Sequence, residues 1–155
     1  MKKYEFTGET KVIDDMTLHQ IRALIDFNDV LAGDIGGWIE KEGNLSHDDD
    51  AWVSDNAEVS GNAWVYGNAK VYGNAWVFST AHILVIGPIG SRNDFITFYR
   101  DKDNEITVKC GCFLGKIDVF LDKVTDTHGD SKHAAVYRAA AALAELQIGR
   151  EETTP

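Results

Sequence analysis

Ala51-Trp52-Val53-Ser54-Asp55-Asn56-Ala57-Glu58-Val59-Ser60-Gly61-Asn62-Ala63-Trp64-Val65-Tyr66-Gly67-Asn68-Ala69-Lys70-Val71-Tyr72-Gly73-Asn74-Ala75-Trp76-Val77 repeats one six-residue unit, Asn/Asp-Ala-x-Val-x-Gly, and Ala81-His82-Ile83 supplies a sixth copy in the same register. A period of six fits neither an α-helix nor a hairpin ladder. It predicts a solenoid in which each short strand is one side of a triangular coil. The aliphatic position fills the interior, the alanine two residues earlier is small because three chain segments converge there, and Gly and Asn take the corners, where left-handed backbone angles are cheap for them.

Working outward, Gly37-Trp38-Ile39 and Gly43-Asn44-Leu45 keep the small-x-aliphatic pattern at spacing six. From Leu45 to Val53 the spacing is eight, so Ser46-His47-Asp48-Asp49-Asp50 carries a two-residue excursion at a corner. Downstream, Gly87-Pro88-Ile89 reads as a last, degenerate copy. Ile39 to Ile89 then makes three coils of 18 residues.

The residue between Ala and Val points outward and runs Trp52, Glu58, Trp64, Lys70, Trp76, His82. Residues 18 apart stack, which predicts Trp52 over Lys70, Glu58 over Trp76 and Trp64 over His82, one tryptophan on each face. Tyr66, Tyr72 and Phe78 flank the same strands. Exposed aromatic rows seldom stay exposed, so Trp52, Trp64, Tyr66, Tyr72, Trp76 and Phe78 are interface candidates, covered by the chain's own terminal segments or by a second copy of the chain.

The flanks read differently. Tyr4-Phe6, Lys11-Ile13 and Leu18-Ile25 are β-type runs; Leu18 to Leu24 fits a helical turn or a strand, and strand is favoured, as an N-terminal cap over the open first coil. After Ile89, Phe95 to Tyr99 and Glu105 to Cys110 alternate around Asp101-Lys102-Asp103-Asn104, which predicts a hairpin. Ile117, Phe120, Leu121 and Val124 recur at helical spacing with His128-Gly129 as the stop. Asp130 or Ser131 can cap a second, alanine-rich helix through Ile148. Residues 150–155 read as a frayed tail.

Composition narrows the function classes. Of the formal charge of −10, residues 1–60 carry 14 acidic and 5 basic side chains, whereas residues 61–155 are nearly balanced at 11 and 10. An acidic face repels phosphate backbones, so binding of nucleic-acid polymers is not expected. An anionic ligand would be sought in the second part. No apolar run reaches the ~18 residues of a membrane span and no signal-peptide pattern follows Met1, so no membrane association is expected. The two cysteines, Cys110 and Cys112, sit one glycine apart and are poor disulfide partners, which suits a reduced cytoplasm.

With Gly33-Asp34-Ile35-Gly36-Gly37-Trp38-Ile39-Glu40, Asn44-Leu45-Ser46 and the Gly-Asn-Ala-x-Val run, the chain resembles a family of phage, prophage and gut-bacterial hexapeptide-repeat proteins, labelled transferases or polymer-forming, cytoskeletal-like proteins. Ile86 to Arg92, Cys110-Gly111-Cys112-Phe113 and His128-Gly129-Asp130 resemble a C-terminal module often attached to them. The resemblance implies that the parallel β-helix is left-handed. With the flanks as read above, the expectation is a mainly β chain: a short left-handed parallel β-helix with an N-terminal β cap and a C-terminal ββαα module. The divisions would be 1–32 (cap), 33–89 (β-helix), 90–149 (hairpin plus two helices) and 150–155 (tail), in the cytoplasm of a bacterial host cell. It implies no agreed activity.

Four places could carry chemistry. Hexapeptide acyltransferases, which the repeat resembles, use a wall histidine as general base; His82 would be that residue here, or simply a surface histidine in the variable slot. Cys110, Cys112, His128 and His133 have a loose zinc-finger look, but one intervening residue is tight for a chelate and unpaired cysteines on strands are common, so neither a metal nor another cofactor is expected. In Gly87-Pro88-Ile89-Gly90-Ser91-Arg92-Asn93, successive amides could cradle an anion, with Ser91, Arg92 and Asn93 as donors and Thr97 and Tyr99 on the same side of the next strand; alternatively it is a linker. Asp48-Asp49-Asp50 lacks the spacing and bidentate Glu of a calcium loop, so a solvated corner is the better reading.

The leading expectation is a non-enzymatic, oligomeric, phage-type binding protein that holds or sequesters a small anionic ligand where β-helix and C-terminal module meet. Phage proteins that sequester a host's nucleotide immune signals, an anti-defence role, are one compatible class. The alternatives are a structural or protein-binding module using the aromatic faces, and a hexapeptide-type acyltransferase.

Overall fold

The computed structural model describes residues 2–149; the tail expected at 150–155 lies outside them. The chain is mainly β with two C-terminal helices, and its strands form open sheets.

β1 (Tyr4–Ile13) and β2 (Met16–Ala23) make an antiparallel hairpin through Asp14 and Asp15. The ambiguous Leu18 segment is therefore strand. β2 pairs antiparallel with β3 (Ile35–Ile39), and the same sheet continues in parallel through β5 (Glu58–Val59) and β7 (Trp76–Val77). β4 (Trp52–Val53) pairs in parallel with β6 (Lys70–Val71), and Leu45 bridges Val65, also in parallel. Partners are 18 residues apart in Trp52 with Lys70 and Glu58 with Trp76, and 20 apart where the Ser46–Asp50 excursion intervenes, in Trp38 with Glu58 and Leu45 with Val65.

The six-residue unit is visible in the backbone. Asp55, Gly61, Gly67 and Gly73, each six residues after the last, have φ of 59°, 60°, 61° and 71°. At Gly61 a Cβ would also strike the Phe78 carbonyl, so only glycine fits that corner. Ala51, Ala57, Ala63, Ala69 and Ala75 are buried, as are Val53, Val59, Val65, Val71 and Val77, and they form one core with Ile39 and Leu45. Each valine so buried contributes on the order of 1.5–3 kcal/mol relative to exposure. The last copies depart from the pattern. Ala81 is exposed and His82 buried, the reverse of the repeat, because residues 80–82 form a 3-10 turn. The expected stacking of Trp64 over His82 does not form among the described residues. Gly87-Pro88-Ile89 is not a further copy either: it ends β8 (Ile83–Ile89), which runs antiparallel to β9 (Asp94–Arg100).

Strand β2 covers the first edge of the β3–β5–β7 ladder, and side chains close other ladder edges. On the first coil, the Lys3 ammonium reaches the carbonyls of Ala51, Asp48 and Asp49 at 2.6, 3.3 and 3.3 Å, and Tyr4 Oη donates to Leu45 O at 2.7 Å. The cation held at the Asp48–Asp50 corner is thus Lys3, and burial lowers its pKa to about 8, against the pull of Asp50, Asp49 and Asp48. At the other end, Lys70 N donates to Thr97 Oγ1, Tyr72 N to Tyr99 Oη and Phe78 N to His82 Nδ1. Unpaired strand edges invite association, and these contacts remove the edge groups from reach.

The C-terminal unit has four strands, not the expected two. β10 (Ile106–Cys110) pairs antiparallel with β9 and with β11 (Phe113–Lys116), and β8 completes the sheet. Along β9, Ile96 and Phe98 belong to a core with the helices, while Tyr99 belongs to the core of the repeats. α1 (Ile117–His128) has Asp118 in its first turn and stops at Gly129, whose φ is 57°. α2 (Lys132–Gln147) is capped by Ser131, whose side chain accepts from Ala134 N. Its buried Ala134, Ala140, Ala141 and Ala144 let it lie close against the sheet.

One buried acid ties the parts together, and another braces the C-terminal sheet. Glu58, only 6% exposed, pairs with Lys11 at 2.6 Å and Lys102 at 3.2 Å, joining β1, the repeats and the β9–β10 turn. Asp101 accepts from Thr107 Oγ1, Lys116 Nζ and the amides of Asp103 and Glu105. Burial alone would raise its pKa, but these donors outweigh it and hold the carboxyl below its usual range.

Candidate functional site

The glycine-rich turn between β8 and β9, the Cys110–Cys112 turn between β10 and β11, and the sheet-facing side of α1 enclose a cleft of about 250 Å³. The local sequence explains the convergence. Phe120, Lys123, Val124 and Thr127 share one stripe of α1 at spacings of three and four, so packing Phe120 and Val124 brings Lys123 and Thr127 to the same opening. Gly90, at φ 79°, lies directly against the Tyr137 hydroxyl. That hydroxyl accepts from Ser91 N at 3.1 Å, which anchors the turn to α2.

The interior is aromatic: Tyr137 lies edge to face with Phe120 at 5.9 Å, and Phe113 lies 5.6 Å from Phe120. His128 stacks on Tyr137 at 5.5 Å. Arg92 and Lys123 are exposed at the mouth, against one carboxylate, Asp94. The cleft therefore presents positive charge in a chain that is acidic overall. Burial, then Asp94, pushes the Cys110 thiol up, which keeps it protonated and a poor nucleophile.

The predicted ligand residues are divided by this geometry. Ser91 and Arg92 line the cleft. Asn93 is exposed on the turn at φ 49° and does not line it. Thr97 and Tyr99 point to the other side of β9, where their hydroxyls bond the backbone of β6 and the residue after it. They are ladder-closing groups, not companions of Arg92. Cys110, Cys112 and His128 line the same cleft, and His133 stands 5.7 Å from His128, ring to ring. Among the described residues, no three His, Cys, Asp or Glu side chains form a group able to hold a metal ion. Phe113, Phe120, Lys123, Thr127 and Tyr137 were not foreseen; the α1 stripe was visible in the sequence but reads there as core periodicity alone.

His82 is not on an outer wall. It is 8% exposed, its Nδ1 accepts from Phe78 N at 3.2 Å, and burial, with Arg100 nearby, lowers its pKa to about 4. The aromatic candidates also separate. Trp52 is 2% exposed, covered within the chain by Phe27 and Tyr4. Tyr72, Trp76 and Phe78 are half-buried. Trp64 and Tyr66 remain 51% and 44% exposed, stacked on each other at 4.6 Å.

No family model matches this chain. Over 68 residues it is 34% identical to a protein of Escherichia coli (strain K12) named "Uncharacterized acetyltransferase YdcK", a match covering 39% of this chain and 21% of that protein. The chain thus matches about a fifth of that relative's length. No helix among the described residues is long and apolar enough to cross a membrane.

Proposed function

We propose that this chain is a non-enzymatic binding protein that holds a small anionic ligand of nucleotide type in the cleft between the β8–β9 turn and α1, sequestering it from its receptors. The observation that carries the reading is the pairing of an aromatic interior (Phe113, Phe120, Tyr137) with two exposed cations, Arg92 and Lys123, at the mouth. A ring system stacks on the first and a phosphate pairs with the second. The scaffold beneath is, in this reading, a short left-handed β-helix. Parallel partners 18 residues apart and left-handed corners every six residues support the winding, and its hand follows from the resemblance to hexapeptide-repeat proteins. Self-association would proceed sideways through Trp64 and Tyr66, since both ladder ends are closed.

Thermal melting against a panel of mononucleotides and cyclic dinucleotides tests the reading. A ligand that binds the folded state raises the melting temperature by mass action. The expected result is a rise with at least one nucleotide that is lost in both Arg92→Ala and Lys123→Ala. No rise with any member, or a rise that survives both variants, overturns it.

A second reading, acyl transfer, is favoured by the name of the Escherichia coli relative. The burial and engaged Nδ1 of His82 weigh against that histidine as general base. Acetyl-CoA turnover that is absent in the wild type, or present and unchanged in His82→Asn, removes His82 from such a role.

A further inference from the structure

A second cavity, of about 320 Å³, lies on the face of the C-terminal sheet turned toward the repeats, between the loop after β2, the corner at Asp50, β6 and β9. Its lining carries both signs of charge: Lys70 and Lys109 against Asp29, Asp50 and Asp94. The Lys109 ammonium is already engaged, donating to Gly111 O and standing over the Tyr72 ring. Lys70 is held only loosely: its Nζ is buried and has no hydrogen-bond partner among the described residues, and its ion pair with Asp29 is long, at 3.8 Å.

A buried ammonium without an acceptor is costly, and such a group calls for an occupant that supplies one. A simple anion would satisfy Lys70 but meet three carboxylates. A simple cation would suit the carboxylates but meet Lys70. A molecule with both charges close together answers both demands, and the cavity is at the small end of the ~300–1,000 Å³ usual for ligand sites. We infer that this cavity binds a small zwitterion of α-amino-acid type, its carboxylate on Lys70 and its ammonium toward Asp50 and Asp29. The cavity borders the cleft of the proposed nucleotide reading and shares Asp94 and Gly111 with it, but Lys70, Asp50 and Asp29 lie outside that cleft and the inference stands without that reading.

Isothermal titration calorimetry with glycine, L-alanine and L-serine tests this, with sodium acetate and methylammonium chloride as single-charge fragments. The expected result is saturable binding of at least one amino acid and none of either fragment. Affinity should fall about tenfold or more in Lys70→Met, and likewise in Asp50→Asn, as loss of a charged hydrogen bond implies. Asp29→Asn, at an exposed position, gives a variant whose fold is not at risk and should also weaken binding. Absence of heat with every amino acid means a cavity filled by water and overturns the proposal. So does acetate binding as well as the amino acids, or affinity unchanged in all three variants.

Discussion

The phenol of Tyr99 accepts a hydrogen bond from Tyr72 N at 3.1 Å and returns one to Tyr72 O at 2.6 Å. One side chain thereby supplies both the acceptor and the donor that a further parallel strand would have offered. Two residues earlier, Thr97 Oγ1 takes Lys70 N at 3.0 Å, so the two-residue period of β9 matches that of the edge it covers. Tyr99→Phe should cost about 1–3 kcal/mol, the penalty for leaving buried backbone groups unmatched. Combined with Thr97→Val it should also re-expose the edge. Urea unfolding measures the first effect, and light scattering should show end-to-end association in the double variant that the wild type lacks.

At the opposite end, Lys3→Met removes the donor shared by the carbonyls of Ala51, Asp48 and Asp49. Stability should fall by about 1–3 kcal/mol. Phe27 packs against both the Lys3 ammonium, at 4.7 Å, and Trp52, at 5.3 Å. Loosening this corner should therefore shift tryptophan emission to the red before global unfolding, whereas emission that moves only with the global transition would show that Lys3 does not hold the corner.

His82 makes the fold sensitive to acid. Its folded pKa, about 4, lies below the ordinary 6.5 because burial, and then Arg100, disfavour the imidazolium. As pH falls the unfolded chain takes up the proton first, so this contribution is complete above pH 6.5 and is lost as pH drops toward 4. The full span corresponds to about 3 kcal/mol at most. His82→Asn keeps an acceptor for Phe78 N and does not titrate, so its stability should change less between pH 6.5 and 4 in chemical denaturation.

How much of this was legible follows from which contacts are local. The inward Ala and Val positions and the corners repeat every six residues, so Val65, at the centre, is buried as its neighbours predict. The pairings of Trp52 with Lys70 and Glu58 with Trp76 follow from the same count. Where the repeat stops, the count misleads: His82 occupies the outward slot in sequence but turns in, because a 3-10 turn shifts its phase. Thr97, Tyr99 and Lys3 were not readable as ladder-closing groups, since their partners lie 27 to 48 residues away in sequence. The cleft was half legible. Ser91 and Arg92 come from a conspicuous turn, whereas Tyr137 reaches Ser91 across 46 residues of sequence, a contact that only the sheet-on-helix packing creates.

Gly90→Ala probes that contact. At φ 79° an alanine is strained, and its Cβ would collide with the Tyr137 hydroxyl. Overpacking of this kind costs about 1–3 kcal/mol. The displaced turn should also lose the Ser91 N to Tyr137 Oη bond, so any nucleotide-induced rise in melting temperature should shrink along with stability. A variant as stable as wild type would show that the turn relaxes freely and does not shape the cleft.

Trp64 and Tyr66 give the opposite expectation for stability. They stack on each other with about half of each ring in water, so Trp64→Ser with Tyr66→Ser removes little that the folded monomer depends on. Surface changes of this sort usually stay within about ±0.5 kcal/mol. Their effect should fall on association: with the ladder ends closed by Lys3, Tyr4, Thr97 and Tyr99, a lateral contact through these rings is the route left to the repeats. Light scattering should find the wild type larger than one chain and the double variant reduced to a monomer. A wild-type monomer, or an oligomer that survives both substitutions, would exclude this face as the interface.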